Sequence, residues 1–177
     1  MRIDPFDPRN ASDRQYAAAT EFSNRIRAEI VPDDPPVPLE ERIQGWRNIP
    51  AFVETSAWHV WRDDGSQIIG GGDVSFLRTE ENRHLVTFGI GVLPEFRRQS
   101  IARRLLALIV EVPKREDRRL MITSTNGAVP AGEAFMRGLG AQMARANHTN
   151  QLDLQDLNRD LLRSWQESGR ERASGFG

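Results

Sequence analysis

Glu95-Phe96-Arg97-Arg98-Gln99-Ser100-Ile101-Ala102-Arg103-Arg104-Leu105-Leu106, "EFRRQSIARRLL", sets basic and small residues directly before an apolar helical repeat. Upstream, His84 to Val92 reads as a strand. Downstream, Leu105, Leu106, Ile109 and Val110 recur at helical spacing, which predicts a helix from Ile101 with one face on a sheet. The stretch is therefore a strand-to-helix junction. A helix entered through small residues exposes its first backbone N–H groups, and with the helix dipole these make a seat for phosphate. Arg97 and Arg98 flank that seat, while Ser100 and Ala102 leave room for a ligand to approach the backbone. A polar helix cap with no ligand is an equally good reading of these residues alone.

Working outward, the junction lies in a layered pattern of strands and helices. Arg2-Ile3-Asp4-Pro5-Phe6-Asp7 alternates as a short edge strand. Ser12-Asp13 starts a helix whose stripe of Tyr16, Phe22, Ile26 and Ile30 ends near Val31-Pro32, and a second short helix covers Leu39 to Trp46. Between them Pro32 to Pro38 is too rich in proline to be helical. Ala57 to Trp61 and Gln67 to Gly70 flank Asp64-Gly65, a pair suited to a hairpin turn, and the second strand runs on through Asp73 to Leu77. After the junction helix come a strand at Arg118 to Thr123, a helix at Ala131 to Leu139 stopped by Gly140, and an alternating strand at Asn150 to Leu154. This order predicts a mixed α/β layer fold over residues 1–154. Gln155 to Ala173 reads as a polar helix and linker, broken at Ser174-Gly175-Phe176-Gly177.

Composition narrows the chemistry. The 177 residues suit one domain of ordinary size. The chain has no cysteine, so disulfides, thiolate metal sites and thiol nucleophiles are excluded, and a reducing cytoplasm is the expected setting. A formal net charge of −1 opposes bulk electrostatic binding to nucleic acid. No apolar run approaches the ~18 residues of a membrane span, and Met1 to Pro5 is too polar for a secretory signal. His59, His84 and His148 lack metal-ligand spacing, so no metal is expected.

The run Val92-Leu93-Pro94-Glu95-Phe96-Arg97-Arg98-Gln99-Ser100-Ile101-Ala102 resembles the acyl-CoA-binding motif of the GNAT family of N-acetyltransferases. In that motif an Arg or Gln precedes x-x-Gly-x-Gly/Ala after a strand, and Arg97, Ser100 and Ala102 fill the three positions, with serine in place of the first glycine. The hairpin with Ile69-Gly70, Asn126 after the next strand, and Phe135 to Gly140 are similar to the family as well. The resemblance implies the GNAT fold, a mixed central sheet flanked by helices and splayed beside the junction strand. It further implies acetyl-CoA as cosubstrate, with Ile90, Gly91 and Val92 bonding the pantetheine arm, Arg97, Arg98, Gln99, Ser100, Ile101 and Ala102 wrapping the pyrophosphate, and Asn126 nearby. Arg103, Arg104 and Arg119 could meet the 3′-phosphate or form a solvated face.

Acetyl transfer to an amine calls for a base, an oxyanion donor and often an acid for the thiolate. Met136 stands where the family usually has a tyrosine, and the only tyrosine, Tyr16, is expected to pack in the core or groove. The strand Thr87 to Gly91 carries no carboxylate. Glu81 and His84 at its start are the candidate catalytic residues, with Asp73 on the preceding strand a further acid nearby. The resemblance would put Asp33 and Asp34 in the acceptor wall, and Trp46, Trp58 and Trp61 are candidates for an apolar pocket or for the core. The expected partner is a small-molecule or peptide amine, with no nucleic acid and no membrane. The chain is also similar to the first half of tandem acetyltransferases, on Val31 to Pro36 with Leu39-Glu40-Glu41, Asn82-Arg83-His84-Leu85 and Leu152-Asp153-Leu154. That likeness implies a linker at 155–173 leading to a second GNAT domain, with a homodimer as another possibility. A non-catalytic, acyl-CoA-sensing or structural domain is the alternative function.

Overall fold

The computed structural model describes residues 1–148 and 152–174, which fall into two compact units, Met1–Gly140 and Ala141–Gly177. The first unit contains β1 (Arg2–Phe6), α1 (Asp13–Ile30), α2 (Leu39–Arg47), β2 (Val53–Trp61), β3 (Ile68–Leu77), β4 (Leu85–Val92), a 3₁₀ turn at Pro94–Phe96, α3 (Ile101–Arg115), β5 (Leu120–Ile122) and α4 (Pro130–Gly138). Its five-stranded sheet runs in the order β1-β2-β3-β4-β5, antiparallel except for the parallel β4–β5 pair. The expected mixed sheet flanked by helices is the architecture observed.

Local chemistry accounts for the elements. Ser12 caps α1 in a reciprocal capping box with Gln15. Asp64 accepts bonds from the Ser66 N–H and hydroxyl, and Gly65 takes the left-handed φ of +68°, so the Asp64-Gly65 pair forms the expected turn. Immediately inside the hairpin the ladder slips by one residue. Trp61 pairs with Ile68 but Val60 pairs with Gly70, which marks a bulge.

The faces of the sheet follow from the register. One face carries Val60, Gly70 and Val92 in one row and Trp58, Gly72 and Ile90 in the next, and α3 packs on it through Ile101, Leu105, Ile109 and Val112. The β-carbon of any larger residue at Gly70 would fall 2.8 Å from Ile101 Cγ2, and at Gly72 3.1 Å from Ile109 Cδ1, so these glycines set how closely α3 approaches. Against the opposite face, α1 and α2 bring Tyr16, Phe22 and Trp46 together with Phe6. Tyr16 is fully buried, stacks on Trp46 and donates its hydroxyl to the Pro8 carbonyl at 3.1 Å, a core role. Trp61 is likewise core, and Trp58 packs under α3.

The expected last strand at Asn150 to Leu154 does not form over Leu152 to Leu154; 149–151 lie outside the described residues. Asp153 Oδ1 instead accepts the Gln155 N–H at 2.9 Å and caps a 3₁₀ turn at Leu154–Asp156, a local bond that competes with strand pairing. The polar helix then starts later than expected, as α5 (Arg159–Ala173), because Asn158 Oδ1 caps it through the Leu161 N–H.

Candidate active site

Two features of the first unit meet at β4. The first is an open edge. The β4–β5 pairing covers only Leu85, Val86 and Thr87, so β4 from Phe88 onward has no neighbour on that side among the described residues. Leu93 donates its N–H to the Ile69 carbonyl, so the odd-numbered residues of β4 bond toward β3 and the even-numbered ones away from it. The Val92 carbonyl confirms the alternation by accepting Arg97 Nε at 3.1 Å on the open side. Ile90 therefore presents its N–H and carbonyl to the gap left where β5 ends.

The second feature is the loop that follows. Arg98 and Ser100 both take left-handed conformations, φ +64° and +61°, and α3 begins at Ile101 with no side-chain cap. The first helical bond is Arg104 N–H to the Ser100 carbonyl, so the six N–H groups from Arg98 through Arg103 have no acceptor among the described residues. Successive N–H groups turned by left-handed residues form a concave anion seat at the positive end of α3. The guanidinium groups of Arg98 and Arg103 are exposed and have no carboxylate partner among the described residues. This donor set fits a pyrophosphate.

Arg97 has a different part. Its guanidinium grips the Glu29 carboxylate with both terminal nitrogens, as well as the Val92 carbonyl, which ties α1 to the loop. Arg25 on α1 adds a second tie to the loop through one terminal nitrogen on the Glu95 carboxylate. The side chain of Arg97 is thus a fastener that holds the loop rather than a group offered to a ligand.

Beside the open edge lies a cleft of about 510 Å³ on the α1–α2 face. Its floor is a lattice set by the ladder, in which His59, Gly71 and Gly91 form one row, Ala57, Asp73 and Gly89 the next, and Thr55 and Ser75 the third. Ser75 and Thr87 join their hydroxyls at 2.9 Å. Phe6, Phe22, Ile26 and Trp46 supply the walls. Asp73 opens to the cleft while protein surrounds its other sides, and this loss of solvent pushes its carboxyl up to about 6. Burial pulls the His59 imidazole, 4.4 Å from the Phe6 ring centroid, down to about 4, so it is neutral at pH 7. A β-carbon at Gly89 would lie 2.9 Å from Asp73 Oδ1, so glycine there leaves the carboxylate its position.

The structure thus brings Ile90, Gly91 and Val92 together with the run from Arg97 to Ala102. It does not bring the other expected residues there. Glu81 and His84 are exposed at the β3–β4 turn, outside the cleft, and His84 serves through its carbonyl, which accepts the Arg119 and Leu120 N–H groups. At ~3.3 Å per residue, His84 is about 23 Å along β4 from Gly91. Asn126 turns inward on its own loop, its Oδ1 accepting the Ala128 N–H at 2.9 Å before α4. Asp34 pairs with Arg27, and neither it nor Asp33 lines the cleft. Among the described residues no cluster of side chains could hold a metal ion, and no helix is long and apolar enough to cross a membrane.

An open strand edge leads into an N–H-lined helix start with a cleft alongside, a geometry with room and donors for an extended, phosphate-bearing ligand. Comparison with known proteins gives the family: the model of the acetyltransferase (GNAT) family matches residues 19–141, and the chain belongs to that family. No curated protein sequence matches. Among solved structures, the chain is similar to smu.2055 from Streptococcus mutans UA159, with TM-score 0.64, 23% identity and coverage of 89% of this chain and 92% of that one. It is similar to aminoglycoside N-acetyltransferase AAC(6′)-Iy in complex with CoA, with TM-score 0.56, 18% identity and coverage of 85% and 95%. It is also similar to aminoglycoside 6′-N-acetyltransferase AAC(6′)-Ih from Acinetobacter baumannii, with TM-score 0.57, 20% identity and coverage of 86% and 98%. At these identities the likeness is one of fold.

Proposed function

We propose that the protein is an acetyl-CoA-dependent N-acetyltransferase that acetylates a primary amine held in the cleft, with Asp73 as the base. The observation that carries this reading is the meeting of the free N–H run at Arg98 to Arg103, the open edge at Ile90 and the Asp73 carboxylate within one unit. The cosubstrate supplies an activated acetyl thioester. The N–H run with Arg98 and Arg103 holds its phosphates, and the Ile90 backbone orients its arm along β4. An amine enters as an ammonium ion, and Asp73 removes a proton so that the nitrogen lone pair is free to attack. A carboxyl near 6 is a better base for this task than an ordinary aspartate, and it remains ionised at pH 7. The Ile90 N–H is available to the carbonyl oxygen as negative charge gathers there. Glu81 and His84 stand outside this scheme.

A second reading, an acyl-CoA-binding domain without turnover, is favoured by one observation. Met136 on α4 cannot protonate a leaving thiolate, and the hydroxyl of Tyr16 is committed to Pro8. Thiols have unperturbed pKa values of about 8.5, so departure as thiolate with protonation by water keeps the enzyme reading workable.

Calorimetric titration with acetyl-CoA tests the site. Micromolar binding, lost in an Arg98→Glu, Ser100→Asp double variant, is the expected result. Binding that the variant retains would remove the N–H run from the argument, and binding without thioester consumption in the presence of amines would favour the second reading.

A further inference from the structure

The cleft also carries information about its acceptor. Among the described residues Asp73 is the one carboxylate that lines it, and the only other titratable side chain on its surface, His59, is neutral at pH 7. The walls opposite are aromatic and aliphatic, with Phe22 and Ile26 from α1, Trp46 from α2 and Phe6 from β1. Such a surface offers one counter-charge. A second or third ammonium would have to leave water facing apolar side chains, and an unpaired charge is strongly disfavoured in such a place. A ring-sized apolar group meets the opposite situation, since it gains contact with Phe22 and Trp46. About 510 Å³ is a volume suited to a small molecule.

We infer that the acceptor is a small monoamine with an apolar, ring-sized body, its ammonium on Asp73 and its body between Phe22 and Trp46, rather than a polycation. The inference rests on the acetyltransferase reading above and narrows it. The fold neighbours that carry aminoglycoside names do not bear on it, because the discrimination lies in side chains that line this cleft.

The test compares 2-phenylethylamine, spermidine and sisomicin as acceptors in a thioester-consumption assay on the full chain, with calorimetric titration of the same three amines in parallel. Expected are a kcat/KM for 2-phenylethylamine at least tenfold above either polycation, a KM raised about tenfold by Trp46→Leu with smaller change in kcat, and a shift of preference toward spermidine in Thr55→Asp. That last variant adds a second carboxylate at a half-buried floor position without opening the core. Equal or better turnover of spermidine or sisomicin by the unaltered protein would overturn the acceptor class while leaving the acetyltransferase reading intact. Consumption of thioester with none of the amines, despite 2-phenylethylamine binding that Asp73→Asn weakens, would overturn the reaction but uphold the cleft's selectivity. Absence of any 2-phenylethylamine binding would overturn the inference itself.

Discussion

Ser100 sits at φ +61°, ψ +10°, the second left-handed residue of the N–H run and the N-cap of α3. A non-glycine residue in that left-handed well costs about 1–2 kcal/mol relative to its right-handed conformations. Ser100→Gly removes this cost, and its hydroxyl makes no cap bond that the change would lose. Against this, glycine adds about 0.4–1 kcal/mol of chain entropy to the unfolded state. The net is a gain of about 0.5–1 kcal/mol, which for a chain of this size corresponds to a Tm rise of about 1–4 °C. Ser100→Val should act in the opposite sense, losing at least about 1 kcal/mol, because a β-branched side chain is more strained there. Thermal melting of the three proteins in one buffer measures both shifts. Because the N–H groups are unchanged by Ser100→Gly, acetyl-CoA affinity should be kept or improved. A glycine variant that melts no higher than the parent, together with a valine variant that melts unchanged, would refute the strained conformation and with it the geometry of the seat.

Asp73→Asn should abolish most turnover and yet stabilise the fold at pH 7.5. Burial raises this carboxyl from 3.8 to about 6, so the folded state holds its proton more tightly and loses that advantage as pH rises through this window; the gain in Tm should be present at pH 7.5 and absent at pH 3.5. For the same reason kcat/KM of the parent should climb as pH rises through about 6, where the base ionises, and the asparagine variant should lack that limb. Gly89→Ala places a β-carbon 2.9 Å from Asp73 Oδ1, so kcat should fall at least tenfold while acetyl-CoA binding by calorimetry stays within a factor of a few. Glu29→Ala frees Arg97 from its two-pronged partner. Since this pair is neither fully exposed nor fully buried, a stability loss of about 1–2 kcal/mol in urea titration is expected, accompanied by weaker acetyl-CoA binding.

The junction at Glu95 to Leu106, the capped α1 and the Asp64-Gly65 hairpin were legible in the sequence because each is a local event. Helix period, cap and turn chemistry act over a few residues, and the amino acids that satisfy them announce themselves. The same locality explains the expected strand at Leu152 to Leu154 that does not form. Alternation there has to compete with an Asp153 side chain that bonds the backbone two residues on, and pattern alone does not weigh the two.

Which side chains share a surface was not legible, and the reason is one residue of register. A tight hairpin on Asp64-Gly65 that continued the Trp61–Ile68 pairing without a bulge would set Asp73 opposite Ser56, on the face under α3, while His59 faced away from it. The slip between Val60 and Trp61 moves Asp73 opposite Ala57 and so onto the same face as His59, Gly89 and Gly91. Alternation in a strand says which residues lie on the same side of that strand. Only pairing with the neighbouring strands, settled when Phe22 and Ile26 on one side and Ile101 and Ile109 on the other close over the glycines of β3 and β4, says which sides combine. The sequence by itself determined the layers, the order of elements through α4 and the place of the strand-to-helix junction, because these rest on local period, caps and turns, whereas the tertiary structure alone decided that a carboxylate from β3 and neither Glu81 nor His84 stands in the cleft.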